Sequence, residues 1–152
     1  MQALARRGAL LALVSLVLAA CSLPTGGTED AMDLTGLDDA VVRGSDRVTA
    51  VEESEQVTDG LGSTISMTLV LDDEGPPTPD QLDAVVRTVW ENVPFEPNGI
   101  VLVAVDPAAG KVDLRAAAEA IPLEFQPFGQ GGISILGGRP VVERYGAWED
   151  PE

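Results

Sequence analysis

The segment between residues 64 and 106 constrains the fold most, because it reads as a strand, a helix and a second strand in succession. Every second residue from Ile65 to Leu71 is apolar, which is the period-two pattern of a strand with one buried face. The stretch "NGIVLVAVD" (98–106) is apolar on both faces, as is typical of a central strand. A strand–helix–strand unit within one sheet crosses over right-handedly. The segment therefore predicts a sheet with a helix packed on it.

The helix of this unit carries the clearest start signal in the chain. Thr78 stands at the N-cap position, Pro79 at the first helical position, and Gln81 three residues after the cap completes a capping box. Apolar residues then recur at helical spacing: Leu82, Val85, Val86, Val89, Trp90 and Val93. This stripe predicts one buried face, with Trp90 in the core rather than stacked on a ligand.

Two more elements are predicted before this unit. Residues 33–44 have their apolar side chains on one helical face, and Gly44 suits the C-cap of a helix. Residues 47–57 are rich in valine and threonine and read as extended, and an Asp59-Gly60 turn follows them. Two extended runs across a glycine-containing connection predict an antiparallel pair.

The C-terminal third is less regular. Asp113 is predicted to cap a short alanine-rich helix over residues 114–121. Beyond it, Ile133–Leu136 and Val141–Tyr145 are predicted to form a hairpin that turns at Gly137-Gly138. The glycines of this segment lack the GxGxxG spacing of a phosphate-binding loop, and no helix is predicted after them.

The element order predicts an α+β fold, a two-layer ferredoxin-like sandwich with helices on one face of a small, mostly antiparallel sheet. We assign residues 33–146 to this single domain and residues 147–152 to an acidic tail.

The N-terminus has the plan of a secretory signal peptide over residues 1–20. Arg6 and Arg7 form a short basic region, and a run of 13 residues from Gly8 to Ala20 is apolar apart from Ser15. A membrane-spanning helix needs about 20 apolar residues, so this run is too short to span. A basic start, a short apolar centre and small residues at the end are typical of an export signal. The general secretory route is favoured, and the twin-arginine route, whose signal "ARRGALL" matches poorly, is the alternative.

The sequence Leu18-Ala19-Ala20-Cys21 resembles the bacterial lipobox. The resemblance implies that a diacylglyceryl group alkylates the Cys21 thiol, that the leader is cut just before it, and that residues 21–32 tether a domain to the membrane. The whole layout is similar to small exported lipoproteins of high-GC bacteria, a group without a defined activity. The alternative is an ordinary signal peptide with a cysteine near its cleavage site by chance.

Composition excludes several function classes. The chain has no histidine and one cysteine, so Ser-His-Asp and Cys-His catalysis and histidine-based zinc sites are excluded. It has 25 acidic residues against 9 basic ones, and two of the basic residues lie in the predicted leader. A surface this acidic repels nucleic acid and anionic headgroups. No cofactor is predicted.

Two acidic clusters, Asp72-Asp73-Glu74 and Asp38-Asp39, lack the ligand spacing of a calcium loop, so no metal site is predicted. The leading hypothesis is a non-catalytic lipoprotein on the extracytoplasmic side of the cell membrane. Its partners would be the membrane, through Cys21, and a protein or another envelope component. Alternatives are a small-ligand or cation-binding lipoprotein that serves a membrane transporter, and an enzyme that works through carboxylates.

Overall fold

The two strands of the strand–helix–strand segment lie side by side within the sheet. The computed structural model describes residues 32–60, 62–72 and 75–151. Within them the helices are α1 (Thr35–Gly44), α2 (Pro79–Asn92), α3 (Arg115–Ala118) and α4 (Arg139–Tyr145). The strands are β1 (Val48–Asp59), β2 (Gly62–Leu71), β3 (Gly99–Asp106), β4 (Gly110–Val112), β5 (Phe125–Phe128) and β6 (Gly132–Leu136).

The sheet is mostly antiparallel and follows the order β1-β2-β3-β6-β5, with β4 paired to the second half of β3. Only β2 and β3, which α2 connects, run parallel among the described strands. The α+β class and the antiparallel β1–β2 pair are confirmed. The finer ferredoxin-like topology is not confirmed, because α2 joins strands that lie side by side rather than the two strands of a split βαβ unit.

The start of α2 is confirmed in detail. The Thr78 hydroxyl accepts a hydrogen bond from the Gln81 backbone N–H, and the Thr78 backbone N–H donates to Gln81 Oε1 at 2.8 Å. The predicted apolar stripe is buried, including Trp90 with 3% of its surface exposed. This capping box satisfies two backbone donors that the first turn of a helix otherwise leaves unpaired.

The predicted C-terminal hairpin is wrong. Residues 139–145 form helix α4 rather than a strand, and β6 pairs with β3 and β5 instead. The two valines after Pro140 resemble a strand, but proline suits the first turn of a helix and Arg139 pairs with Glu143 one turn later. Gly137 does not turn a hairpin, since its N–H donates to the Asn98 carbonyl at 2.8 Å.

Helix α3 is shorter than predicted and lacks the predicted cap. It spans Arg115–Ala118, its N-cap residue is Leu114, and no side chain caps it. Asp113 Oδ1 instead accepts from the Arg115 N–H, two residues on, which is a local turn. Strands β4 and β5 were not predicted, because three and four residues are too few to show a clear period.

The hydrophobic core takes residues from all four described helices but from only one face of the sheet. Its sheet side comprises Val48, Ile65, Met67, Leu69, Leu71, Ile100, Leu102, Ala104, Val112, Ile133 and Ile135. Trp148, which lies beyond the predicted domain boundary at residue 146, packs against the same core. The helices therefore pack on one face of the sheet, and no described helix packs on its other face.

Candidate functional site

The predicted lipidation site lies outside the described residues. Cys21, the lipobox Leu18-Ala19-Ala20 and the proposed leader all precede residue 32, where the described chain begins. Within the described ranges, no helix combines the length and the apolarity that a membrane crossing needs.

In the first acidic cluster, Asp72 forms an ion pair within the protein. Asp72 Oδ1 lies 2.6 Å from Arg47 Nε, while Asp73 and Glu74 fall outside the described residues. In the second cluster, Asp38 Oδ2 accepts from the Ser54 hydroxyl and Asp39 pairs with Arg43. Among the residues described, no three histidine, cysteine, aspartate or glutamate side chains come together as metal ligands.

The buried Arg47 joins four parts of the fold. Its Nε donates to Asp72 at the end of β2, its Nη2 donates to the Gly75 carbonyl at 2.6 Å, and its Nη1 lies 3.4 Å from Gln81 Oε1. Only 5% of its surface is exposed. Because its guanidinium is committed to acceptors that close the β2–α2 loop, Arg47 has a structural role.

The face of the sheet opposite the helices, here called the open face, has an apolar centre. Its central residues are Val70 and Val101, each only 8% exposed, and the half-buried Val103 and Val105, while Phe128 and Leu136 lie toward β5 and β6. Phe128 and Leu136 are 45% and 44% exposed. No described helix packs on this face, since all four contribute to the core on the other side. Exposed apolar side chains on an open sheet face mark an interaction surface.

The open face is acidic along β1. Glu53, Glu55 and Val57 share this face with Thr68, Ser66 and Thr64 of β2, their register partners. Both glutamates are exposed. All six arginines of the described ranges pair elsewhere with carboxylates: Arg43, Arg47, Arg87, Arg115, Arg139 and Arg144. The negative charge of this strand therefore has no counterpart among those arginines.

A cleft of about 400 Å³ lies at the other side of the molecule, between the end of α2 and the residues after α4. Its lining includes Trp90, Tyr145 and Trp148 together with Glu91 and Glu149. Both indole N–H groups are already bound to backbone carbonyls, Trp90 to Gly146 and Trp148 to Val93, each at 3.1 Å. The cleft thus offers the ring surface of the half-buried Trp148 and two carboxylates rather than free indole donors, since Trp90 itself is only 3% exposed.

A charged network fixes α4 on α2 beside this cleft. Arg144 Nε and the Tyr145 hydroxyl both donate to Asp83 Oδ1, at 2.7 and 2.6 Å. Burial alone would raise the pKa of Asp83, but these hydrogen bonds and the charges of Arg144 and Arg87 outweigh it and hold that pKa below its ordinary value. Burial, followed by the bond to Asp83, raises the pKa of Tyr145, so its hydroxyl stays a donor.

The carboxylate of Asp38 lies in an electrostatically unfavourable environment. Asp38 Oδ1 is buried with no hydrogen-bond partner among the described atoms, and burial raises the pKa of Asp38, with Asp39 and Asp33 adding to the increase. When folding raises the pKa of a carboxyl, the free energy of unfolding falls as the pH rises from the ordinary pKa through the raised one. At neutral pH the ionised Asp38 carboxylate therefore destabilises the folded state.

We expect Asp38→Asn to increase the free energy of unfolding at pH 7 by up to about 1 kcal/mol, because the amide carries no charge and still accepts from Ser54. Urea unfolding at pH 7 and at a pH below the ordinary value of 3.8 checks this, since the gain shrinks where the carboxyl is protonated in both states. Asp39→Asn, on the exposed side of the same turn, is the control. An equal gain from the control would contradict the explanation.

The sequence predicted the open face in part and gave no indication of the aromatic cleft. Trp148 was assigned to a tail, so nothing indicated that it would meet Trp90 across the end of α2. The doubly apolar pattern of β3 did predict apolar side chains on the second face, but no sequence signal tells whether a layer covers them. Comparison with protein-family models, curated proteins and solved structures finds no significant match to this chain.

Proposed function

We propose that this protein is a lipoprotein, anchored on the extracytoplasmic side of the cell membrane through Cys21, whose non-catalytic domain binds another protein. The anchor is supported by the lipobox-like sequence and its position after a short apolar run. The non-catalytic role is supported by the chemistry of the domain. The chain has no histidine, and the buried charged residues of the described ranges, Arg47 and Asp106, both serve loops.

The observation that carries the binding role is the open face. No described helix covers the apolar side chains of this face, and Phe128 and Leu136 stay exposed at its β5–β6 side, so a second layer from a partner would complete it. Val103 lies at the middle of this face, between Thr68 of β2 and the β6 side of the sheet. A uniformly polar second face would have argued against a protein partner.

The anchor is tested by intact mass of the protein from a membrane fraction, for the wild type and Cys21→Ala. We expect the wild type to lack residues 1–20 and to carry a diacylglyceryl group, and Cys21→Ala to be unprocessed or released from the membrane. Ser22→Ala, the neighbouring residue, is the matched control and should behave as the wild type. An unmodified thiol at Cys21 in the mature wild type would rule out the anchor.

The binding role is tested by a photoreactive amino acid placed at Val103, on intact cells. The expected result is a specific protein adduct that is absent when the same group replaces Ala84, an exposed residue on the outer side of α2. Identical adduct patterns from both positions, or none from Val103, would contradict binding through the open face.

The aromatic cleft favours a second candidate, a small-ligand or cation-binding lipoprotein. The half-buried Trp148 beside Glu91 and Glu149 suits an organic cation, because a ring face and negative charges both attract it, whereas Arg87 and Arg144 already lie over the ring of Tyr145. Titration with a tetramethylammonium salt, followed by tryptophan fluorescence, separates the candidates. A saturable change that Glu149→Gln weakens would support this second function, and an unchanged spectrum would leave the protein-binding proposal alone.

A further inference from the structure

The two outer edges of the sheet differ in how they are protected against pairing with another strand. Edge β5 has four residues, and one of them is Pro127, which has no N–H to donate. Edge β1 has twelve residues and pairs only with β2 within the described chain. Short length and proline are two ordinary protections of an edge, and β1 has neither.

The first half of β1 is irregular and its second half is regular. Register shifts occur between Val48 and Ala50 and between Val51 and Glu53. From Glu53 to Asp59 the pairing with β2 continues without a shift. This half therefore presents an unbroken row of backbone donors and acceptors on its outer side, which is the template that strand addition uses.

The side chains of this half select the partner by charge. Glu53 and Glu55 are exposed on the open face, and Val57 follows them with 45% of its surface exposed. Two copies of the chain paired in antiparallel fashion through Glu55 would place that glutamate beside its own copy. Like charges across a strand pair are destabilising, so the acids disfavour self-association. The same positions stabilise a strand that carries basic residues.

We propose that the outer edge of β1, from Glu53 to Asp59, accepts an extended segment of a partner protein as an added strand. The segment carries lysine or arginine at two alternating positions beside Glu53 and Glu55, and an apolar residue beside Val57. The inference rests on the proposed protein-binding function and names the class of partner: a protein with an exposed basic strand or an extended basic segment. The added strand would extend the open face at its acidic side.

The probe is a fluorescein-labelled peptide, Thr-Val-Thr-Lys-Thr-Lys-Thr-Val-Thr, whose symmetry fits either strand direction. Its binding to the protein purified from membranes in nonionic detergent is measured by fluorescence anisotropy. We expect saturable binding, no binding of the peptide with glutamate in place of lysine, and slower amide hydrogen exchange confined to residues 53–59. Slower exchange elsewhere, or equal binding of both peptides, would overturn the proposal.

Two double variants with the same loss of charge separate edge recognition from general attraction. Glu53→Gln with Glu55→Gln should weaken binding about tenfold, because two cross-strand charge pairs are lost. Glu91→Gln with Glu149→Gln, at the aromatic cleft, should leave it unchanged. Equal weakening by both would show non-specific attraction and refute the edge. If the peptide fails to bind while the Val103 adduct persists, the edge proposal falls and the proposed function stands.

Discussion

Arg47→Ala should lower the free energy of unfolding by about 2–3 kcal/mol, less than the loss of one partner from a fully buried ion pair, because the Asp72 side chain is 28% exposed and water can solvate it. The alanine would leave the Asp72 carboxylate and the Gly75 carbonyl without this donor. Gln81 Oε1 would lose one contact but keep the Thr78 N–H, so the α2 cap should survive. Urea unfolding at neutral pH is the measurement.

Two further variants show whether the effect comes from burial. Arg47→Lys keeps the charge but not the geometry of the guanidinium fork, and should fall between the wild type and the alanine variant. Arg43→Ala removes an arginine that is 71% exposed and pairs with Asp39, and should change stability by less than about 0.5 kcal/mol. If Arg47→Ala and Arg43→Ala unfolded alike, the network around Arg47 would not stabilise the fold.

Trp90→Ala is expected to lower the free energy of unfolding by about 3–5 kcal/mol, because it empties a large buried volume. It also removes the indole N–H that donates to the Gly146 carbonyl at the end of α4. Amide hydrogen exchange should therefore show α4 opening more readily than β3. The measurement is urea unfolding together with exchange at residues 139–145.

Trp90→Phe separates the two contributions of this side chain. It keeps an aromatic ring in the core and loses the hydrogen bond to Gly146, which contributes about 1 kcal/mol. Trp148→Phe loses the corresponding bond to the Val93 carbonyl and serves as the matched variant. If Trp90→Ala lowered the free energy of unfolding by less than about 1 kcal/mol, the indole would not be needed to hold α4 in place.

Elements with strong local signals were predictable from sequence. The capping box at Thr78 and the stripe from Leu82 onward determine α2 through neighbouring residues alone, and the alternation around Met67 does the same for β2. The pair β1–β2 followed from two extended runs joined by a short turn. In each case the residues that decide the structure are close together in the chain.

Elements decided by distant contacts were not predictable. The valines at 141 and 142 favour a strand locally, but Val141 is fully buried in the core as part of a helix. Arg47 stands in an extended run with no neighbour that indicates burial, and its partners lie 25 to 34 residues away. The aromatic cleft likewise depends on contacts between α2 and the C-terminal residues, more than 50 positions apart.

The single lysine of the sequence makes the open face unusually easy to address by chemistry. Lys111 is exposed on β4 opposite Val105, so its side chain lies at the rim of that face. An amine-reactive reagent consequently modifies one side chain of this protein, at the surface where the partner is proposed to bind. Protection of that amine from acylation would report occupancy of the face in an unmodified, wild-type protein.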